Sequence, residues 1–151
     1  MFNKILIANR GAIATRIIRT LKKMNIKSVA VFNQADADSL HVQHADESFS
    51  LGEGRAADTY LNQDKIFEII QQTGADAVHP GYGFLSENPD FVKRCEANGI
   101  AFIGPTTEQM KAFGLKHTAR QLAEENNIPL LPGTDLLDTV EQALAQAETI
   151  G

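Results

Sequence analysis

The sequence predicts an α/β fold, a Rossmann-like open parallel sheet with helices on both faces. Two apolar runs, Lys4–Ala8 and Lys27–Phe32, lack the alternation of a half-exposed strand, which indicates strands buried on both faces. Between them, the apolar residues from Ile13 to Met24 recur with a helical period. A strand, a helix and a second strand in this order form a parallel unit with a right-handed crossover.

Later segments extend the same pattern. We predict two more central strands and a short edge strand, at Asp76–His79, Ile100–Ile103 and Glu47–Leu51. The helices are expected at Ser39–Ala45, at Tyr60–Thr73 with Gly74 as its stop, and from Pro89 to about Asn98 with Asn88 as its cap. In the Tyr60–Thr73 helix, the residues predicted to face inward are Leu61, Ile66, Phe67, Ile69 and Ile70.

A glycine-rich turn follows the strand at Asp76–His79, where Pro80 ends the ladder. Gly81 and Gly83 permit positive φ and leave the backbone bare for close approach by a ligand. A dinucleotide-binding loop is disfavoured because the third glycine is missing and Glu87 would face the pyrophosphate. A plain tight turn stays open as an alternative. The crowding of His79, Tyr82, Ser86 and Glu87 favours a binding site at this carboxyl end of the sheet.

Composition excludes several classes of function. The 151 residues carry a net charge of −5 and no block of lysine or arginine, so no nucleic-acid partner is expected. No apolar run approaches the roughly 20 residues of a membrane span. The single cysteine, Cys95, cannot form an internal disulfide. We expect a soluble, cytoplasmic protein without a membrane partner.

Two histidines, His41 and His44, would share one face of a short helix. A third metal ligand at a suitable spacing is missing, so we predict surface or capping histidines and no metal site.

The last third of the chain predicts helices at Thr106–Gly114, Leu115–Asn126 and Asp138–Glu148, with an extended stretch at Ile128–Gly133. Lys116 falls in the first turn of the second of these helices, where a cation opposes the helix dipole. A phosphate near Lys116 would compensate this unfavourable interaction. A lysine exposed to solvent, without a ligand, is an equally good interpretation. The last helix has no strand after it in the sequence, so we expect a fragment whose second domain is incomplete.

Six motifs occur in a specific order along nearly the whole chain. They are Ile7–Gly11, Ala45–Glu47, Tyr60–Asn62, His79–Asn88, Phe102–Pro105 and Pro132–Gly133. Together they resemble the N-terminal region of biotin carboxylases, the ATP-grasp component of the biotin-dependent carboxylases. The resemblance implies a Rossmann-like pre-ATP-grasp domain at 1–112 and the beginning of an ATP-grasp domain at 113–151.

Some positions indicate the acceptor that the complete protein would carboxylate. Ala12 stands where most family members have glutamate, and the segments Phe113–Arg120 and Leu130–Thr134 look most like urea carboxylase and its fused form, urea amidolyase. Leu115 stands where acyl-CoA and pyruvate carboxylases usually have an acidic residue. These departures favour urea or guanidine, with acyl-CoA and pyruvate as alternatives.

The resemblance also implies roles for individual residues. Lys116 matches a lysine that contacts nucleotide phosphate, while Tyr82, Gly83 and Glu87 match residues at the pocket for the biotin ureido ring. His79 matches a structural hydrogen-bonding residue. The catalytic residues and the magnesium ligands of the family match no residue of this chain.

The implied reaction needs more than this chain. The resemblance implies that bicarbonate would attack the γ-phosphate of ATP, giving ADP and carboxyphosphate. Carboxyphosphate would break down to CO₂ and phosphate, and the ureido nitrogen of biotin would capture the CO₂. The full-length enzyme would use ATP, Mg²⁺ and biotin, and the isolated chain is expected to bind none of them tightly and to be inactive. The expected partners are a biotin carboxyl carrier domain and a carboxyltransferase domain.

Two other classes stay open. The first is a different ATP-grasp ligase, which would share the N-terminal α/β domain but not the His79–Asn88 motif. The second is a non-catalytic binding or dimerisation domain that uses a basic stripe on the first helix, Arg16, Arg19 and Lys23. In biotin carboxylases the matching helix contributes to a homodimer. The same stripe would also suit a solvated helix face.

Overall fold

The computed structural model describes residues 1–150, and within this range five parallel strands form one sheet. The strands are β1 (Lys4–Ile7), β2 (Lys27–Phe32), β3 (Glu47–Ser50), β4 (Ala77–His79) and β5 (Ala101–Phe102). Their spatial order is β3-β2-β1-β4-β5, so β1 is central and the carboxyl ends of β1 and β4 are neighbours. The predicted parallel sheet, including its edge strand, is confirmed.

Helices connect the strands and follow the last of them. They are α1 (Gly11–Lys23), α2 (Leu40–His44), α3 (Gln63–Thr73), α4 (Pro89–Ala97), α5 (Thr107–Gly114), α6 (Lys116–Glu125) and α7 (Val140–Ile150). Two short 3₁₀ turns, Gln34–Asp36 and Ala56–Asp58, lie in segments without a predicted element.

The sheet is buried on both faces. Ile5, Ile7 and Ala77 pack with α1, whereas Leu6, Val29 and Val78 pack with α3 and α4. This division follows from the alternation of side chains along a strand, which sends Leu6 to the face opposite Ile5 and Ile7. The apolar runs in the sequence therefore correspond to strands covered on both sides, as predicted.

Local capping signals place the helix ends. The Asn88 side chain accepts a hydrogen bond from the Phe91 N–H at 2.9 Å, and Pro89 is the first residue of α4. Gly74 ends α3 with a φ of 65°. α3 begins later than predicted, because the Asn62 side chain accepts from the Lys65 N–H and makes Gln63 the first helical residue.

Two side-chain predictions are wrong. Leu61 precedes α3 and is 40% exposed, so it does not face the core. His41 is fully buried, so the surface alternative predicted for it is wrong, whereas its contact with Gly11, the first residue of α1, fits the capping alternative. Its Nδ1 accepts from the Gly11 N–H at 3.4 Å, and its Nε2 lies 3.4 Å from the Val31 carbonyl oxygen. α2 packs against α1 and β2, so a position in the middle of this short helix faces inward.

The chain divides into two compact units, Met1–Thr107 and a second unit that begins at Glu108. The first contains the sheet. In the second, α6 and α7 contain no buried residue, and Val140 and Leu144 are 70% and 64% exposed. The boundary that the resemblance implies, between residues 112 and 113, stays a prediction.

Candidate functional site

The turn after β4 is held by a buried asparagine from the end of β1. The Asn9 side-chain amide donates to the Pro80 carbonyl at 2.7 Å and to the Tyr82 carbonyl at 2.9 Å. Its Oδ1 accepts from the Arg10 N–H at 2.9 Å. Because Asn9 is only 3% exposed, these bonds are shielded from water and link the carboxyl ends of the two strands firmly.

Gly81 is required by this contact. A Cβ at residue 81 would lie 2.7 Å from Asn9 Nδ2, and the φ of Gly81 is +66°. Gly83 has a similar φ of +68° but open space where a Cβ would stand. The first glycine therefore permits close approach of two backbone segments, and the second only the turn conformation.

Phe84 follows with a positive φ of 45°, which is unusual for a bulky residue. Its ring stacks on Tyr60, with 5.0 Å between centroids and 17° between planes. The Arg10 guanidinium lies 5.7 Å from the Tyr60 centroid and 6.0 Å from that of Phe84. Arg10 also pairs with Asp36 at 3.2 Å.

The Tyr60 hydroxyl is tied on two sides. It donates to Asp36 Oδ2 at 2.6 Å and accepts from the Asn33 N–H at 3.1 Å. Burial, together with the neighbouring Asp36 carboxylate, raises the pKa of the Tyr60 phenol well above its ordinary value. Tyr60 is therefore protonated at every physiological pH and serves as a fixed hydrogen-bond donor.

A cleft of about 420 Å³ opens between the start of α1 and this turn. Its walls are residues 9–13 and the segment Tyr82–Phe84. Tyr82 is 70% exposed, so its ring is available to a ligand. Glu87 is exposed but does not line this cleft. The structure thus brings Tyr82 and Gly83 together at the predicted edge and places Glu87 outside this set of residues.

His79 contributes to the turn through a hydrogen bond. Its Nδ1 accepts from the Gly81 N–H at 3.0 Å. Desolvation lowers the pKa of His79, which favours the neutral ring that this bond needs. The contact agrees with a structural role for His79.

Lys116 lies in the second unit, at the first position of α6, and is exposed. It lines a cleft of about 660 Å³ whose polar residues include His117, Arg120 and Asp135. The first turn of α6 carries no acidic residue. Lys116 thus occupies the predicted position at a helix N-terminus beside an open cleft.

The stripe Arg16, Arg19 and Lys23 is exposed along α1. Arg16 also borders an apolar groove of about 430 Å³ that includes Phe2, Ile17 and Met24. Residues 1–150 contain no group of three or more histidine, cysteine or carboxylate side chains able to hold a metal ion. In the same range, no helix combines the length and apolar character that crossing a membrane requires.

Comparison with known proteins identifies the family. The profile of the family described as "Biotin carboxylase, N-terminal domain" matches residues 1–110. The chain belongs to this family. A biotin carboxylase of Halalkalibacterium halodurans is 49% identical over 152 residues, which cover 100% of this chain and 34% of the relative. Urea amidolyase of Saccharomyces cerevisiae is 51% identical over 143 residues, 95% of this chain and 8% of the relative.

Similarity extends to other biotin carboxylase relatives and to solved structures. The propionyl-CoA carboxylase alpha chain of Ruegeria pomeroyi is 47% identical over all of this chain and 22% of its own length. A biotin carboxylase of Campylobacter jejuni, solved as a complex with a β,γ-ATP ligand, matches with a TM-score of 0.93 and 42% identity, covering 100% of this chain and 34% of that one. The chain thus spans about a third or less of the length of these relatives.

Sequence reasoning missed part of this biotin carboxylase N-terminal site. Asn9 could have been found, because it directly follows β1 and the carboxyl ends of neighbouring parallel strands meet. The Tyr60–Asn62 motif marks Tyr60 but does not indicate its contacts, and no pattern in the sequence singles out Asp36. Asp36 ends the 3₁₀ turn Gln34–Asp36 and Tyr60 precedes α3, and only the packing of these segments brings Tyr60 to Asp36 and to Phe84.

Proposed function

We propose that this chain is the N-terminal part of a biotin-dependent carboxylase that uses ATP and bicarbonate to carboxylate biotin. The observation that carries the proposal is the cleft at the carboxyl ends of β1 and β4, bordered by the Tyr82–Phe84 turn, in a chain of the biotin carboxylase N-terminal family. Its volume of about 420 Å³ lies in the range of small-molecule sites, about 300–1,000 Å³.

The turn suits the ureido ring of biotin in shape and chemistry. Gly83 has open space where a side chain would stand, so a flat ring can approach the backbone closely. The exposed Tyr82 ring offers an apolar surface with a hydroxyl at its tip. Glu87, which lies outside the cleft lining, is assigned to the outer edge of the biotin pocket on the family resemblance alone.

Lys116 is proposed as a ligand of the ATP phosphates. An exposed ammonium at the start of α6 opposes the helix dipole, and a phosphate beside it would reverse that penalty. Bound ATP would supply an activated phosphoryl group, and Lys116 would balance its negative charge. On the family resemblance alone, the ligands of the accompanying Mg²⁺ are assigned to residues other than 1–150.

Urea is the proposed acceptor, with guanidine as the nearest alternative. The proposal rests on Ala12 and Leu115, which depart from the family pattern in the manner of urea carboxylases. Overall identity does not discriminate, since the relatives named for biotin, urea and propionyl-CoA are 47–51% identical to this chain. A carboxyl carrier domain and a carboxyltransferase domain would pass the carboxyl group to the acceptor.

The test uses the full-length protein with ATP, bicarbonate and free biotin, and measures ADP release. We expect Tyr82→Ala to raise the KM for biotin while the KM for ATP stays unchanged. Adding urea, guanidine, propionyl-CoA or pyruvate in turn identifies the acceptor by the increase in turnover. No biotin-dependent ADP release would refute the proposal, and the 151-residue chain alone is expected to give none.

Lys116→Ala tests the nucleotide site separately. Loss of a charge-assisted contact with phosphate should weaken ATP binding by about one to two decades. The melting temperature without ATP should not fall, because Lys116 is exposed and its positive charge opposes the dipole of α6. Lys93→Ala, an exposed lysine of α4, is the control and should change neither quantity. Unchanged ATP affinity in Lys116→Ala would remove Lys116 from the site.

A further inference from the structure

The backbone at Phe84 is held in a conformation that a bulky residue rarely adopts. Among the described residues, the other non-glycine positions with positive φ are Asn25 and Asn127, and asparagine tolerates this region. Phenylalanine does not, so the surroundings must stabilise Phe84 at its φ of 45°. Strain of this kind persists where packing around the residue leaves no alternative.

Tyr60 supplies that packing. Its ring lies nearly parallel to Phe84, at 5.0 Å between centroids, and it is 2% exposed. The ring cannot rotate freely, because its hydroxyl is bonded to Asp36 Oδ2 and to the Asn33 N–H. The Arg10 guanidinium lies within 6.0 Å of both ring centroids and pairs with Asp36, the residue that also accepts from the Tyr60 hydroxyl.

The turn is therefore clamped at both ends. Asn9 holds the carbonyl groups of Pro80 and Tyr82, and Tyr60 holds the ring of Phe84. Gly83, between them, has open space around it and no side chain to pack. The orientation of Tyr82 and Gly83 toward the cleft then depends on these two anchors.

We propose that Tyr60 is a positioning residue for biotin binding. It does not line the cleft, and it acts by keeping Phe84 in the left-handed conformation, which sets the positions of Tyr82 and Gly83. The link to biotin rests on the proposed function of this turn. We call the packing of Tyr60 on Phe84, together with Asp36 and Arg10, the clamp. The clamp rests only on the geometry of these four residues.

Two substitutions separate the parts of the clamp. Tyr60→Leu removes the stacking surface, and Tyr60→Phe removes only the hydroxyl. Phe67→Leu is the matched control, because Phe67 is also a buried aromatic of the same face, with Phe91 at 5.7 Å and the Arg94 guanidinium 4.3 Å from its ring centroid. Phe67 lies in α3, and its ring contacts Phe91 of α4.

The first readout is hydrogen exchange by mass spectrometry on the full-length protein. The Ser86 N–H donates to the Gly83 carbonyl at 2.9 Å, so a peptide over residues 80–88 reports on the turn. Tyr60→Leu should accelerate its exchange by about tenfold, and Tyr60→Phe by less. Phe67→Leu should leave this peptide unchanged. Equal acceleration in Phe67→Leu, or none in Tyr60→Leu, would overturn the clamp.

The second readout compares the change in the KM for free biotin with the change in the KM for ATP in the same variants. Tyr60→Leu should raise the KM for biotin by about three- to tenfold and leave the KM for ATP unchanged, a split that a general loss of stability does not produce. Faster exchange without a change in the KM for biotin would leave the clamp standing and overturn its link to biotin. If Tyr60→Leu left the exchange rate of this peptide unchanged while Tyr82→Ala raised the KM for biotin as expected, the clamp would be overturned. The proposed function would then stand.

Discussion

Gly81 and Gly83 have nearly the same backbone conformation but different surroundings. Both have a φ close to +67°, whereas only Gly81 lies against Asn9. At the scale of single residues, this pair separates the cost of a strained φ from the cost of a steric clash. The difference in stability between variants at these two glycines therefore reports on the contact between Asn9, at the end of β1, and the turn.

We predict that Gly81→Ala destabilises the chain more than Gly83→Ala. The strained conformation should cost each variant on the order of 1 kcal/mol. The added contact with Asn9 should cost Gly81→Ala about 1–3 kcal/mol more, since Asn9 is buried and holds two carbonyl groups. Urea denaturation of both variants gives the difference directly. If both variants lost the same free energy of unfolding, Asn9 would have to move aside without losing its hydrogen bonds.

At the scale of elements, α2 is held to its neighbours by His41. This histidine links the start of α1, through the Gly11 N–H, with the Val31 carbonyl at β2. Burial lowers the pKa of His41, and the hydrogen bond to the Val31 carbonyl and the neighbouring Asp36 carboxylate only partly oppose that change. The neutral ring is therefore part of the folded structure.

Acidification should destabilise the chain through His41. In the unfolded state this histidine titrates near 6.5, and in the folded state its pKa is lower. Between the two values the unfolded state binds more protons, so the free energy of unfolding falls as the pH drops below about 6.5, by up to roughly 1.4 kcal/mol per pH unit. Above that pH the contribution is fully present.

Urea denaturation at pH values from about 7.5 to about 5, a range that includes the ordinary histidine pKa, checks this prediction. His41→Gln should flatten the pH dependence, and His44→Gln, an exposed control three residues later, should not. A weaker dependence should persist in His41→Gln, because burial also lowers the pKa of His79. If the free energy of unfolding depended on pH equally in His41→Gln and His44→Gln, the pH dependence would not come from His41.

We propose that the basic stripe on α1 forms part of an interface between two copies of the full-length protein. Arg16, Arg19 and Lys23 are exposed, and Arg16 borders the apolar groove beside them. We predict that Arg19→Glu weakens a homodimer, which light scattering over a range of concentrations would detect. Lys22→Glu makes the same charge change on α1 outside the stripe and is the control. A monomeric native protein at every concentration would rule out this dimer.

At the scale of the whole molecule, the two units differ in how much apolar surface they bury. The first encloses a core on both faces of the sheet. In the second, α6 and α7 have no buried residue, and Leu144 is 64% exposed. Local stability follows burial, so the two units should open with different free energies.

We predict fast amide exchange after Phe113 and slow exchange in β1, β2 and β4 of the 151-residue chain. The apolar residues of α7 have few partners within the described part of the chain, so little free energy opposes their opening. Exchange followed by NMR at neutral pH resolves the two regions. Uniform protection along the chain would show that the second unit is as stable as the sheet.

The sequence by itself determined the succession of strands along the chain, most helix ends and the location of the glycine-rich turn after β4. These features depend on local patterns: apolar periodicity, the cap Asn88, the stop at Gly74, and the glycines after β4. It did not determine that Leu61 is exposed, because the true cap of α3 competes with an equally plausible start at Tyr60.

Only the tertiary structure decided which distant residues meet at the site. Asn9 and Tyr82 lie 73 positions apart, and Asp36 and Tyr60 lie 24 apart, yet both pairs are hydrogen-bonded. His41 is buried because α2 packs against α1 and β2, a contact that the polarity of histidine gives no reason to expect. Side chains in loops carry no periodic signal, so their partners are set by how the elements pack.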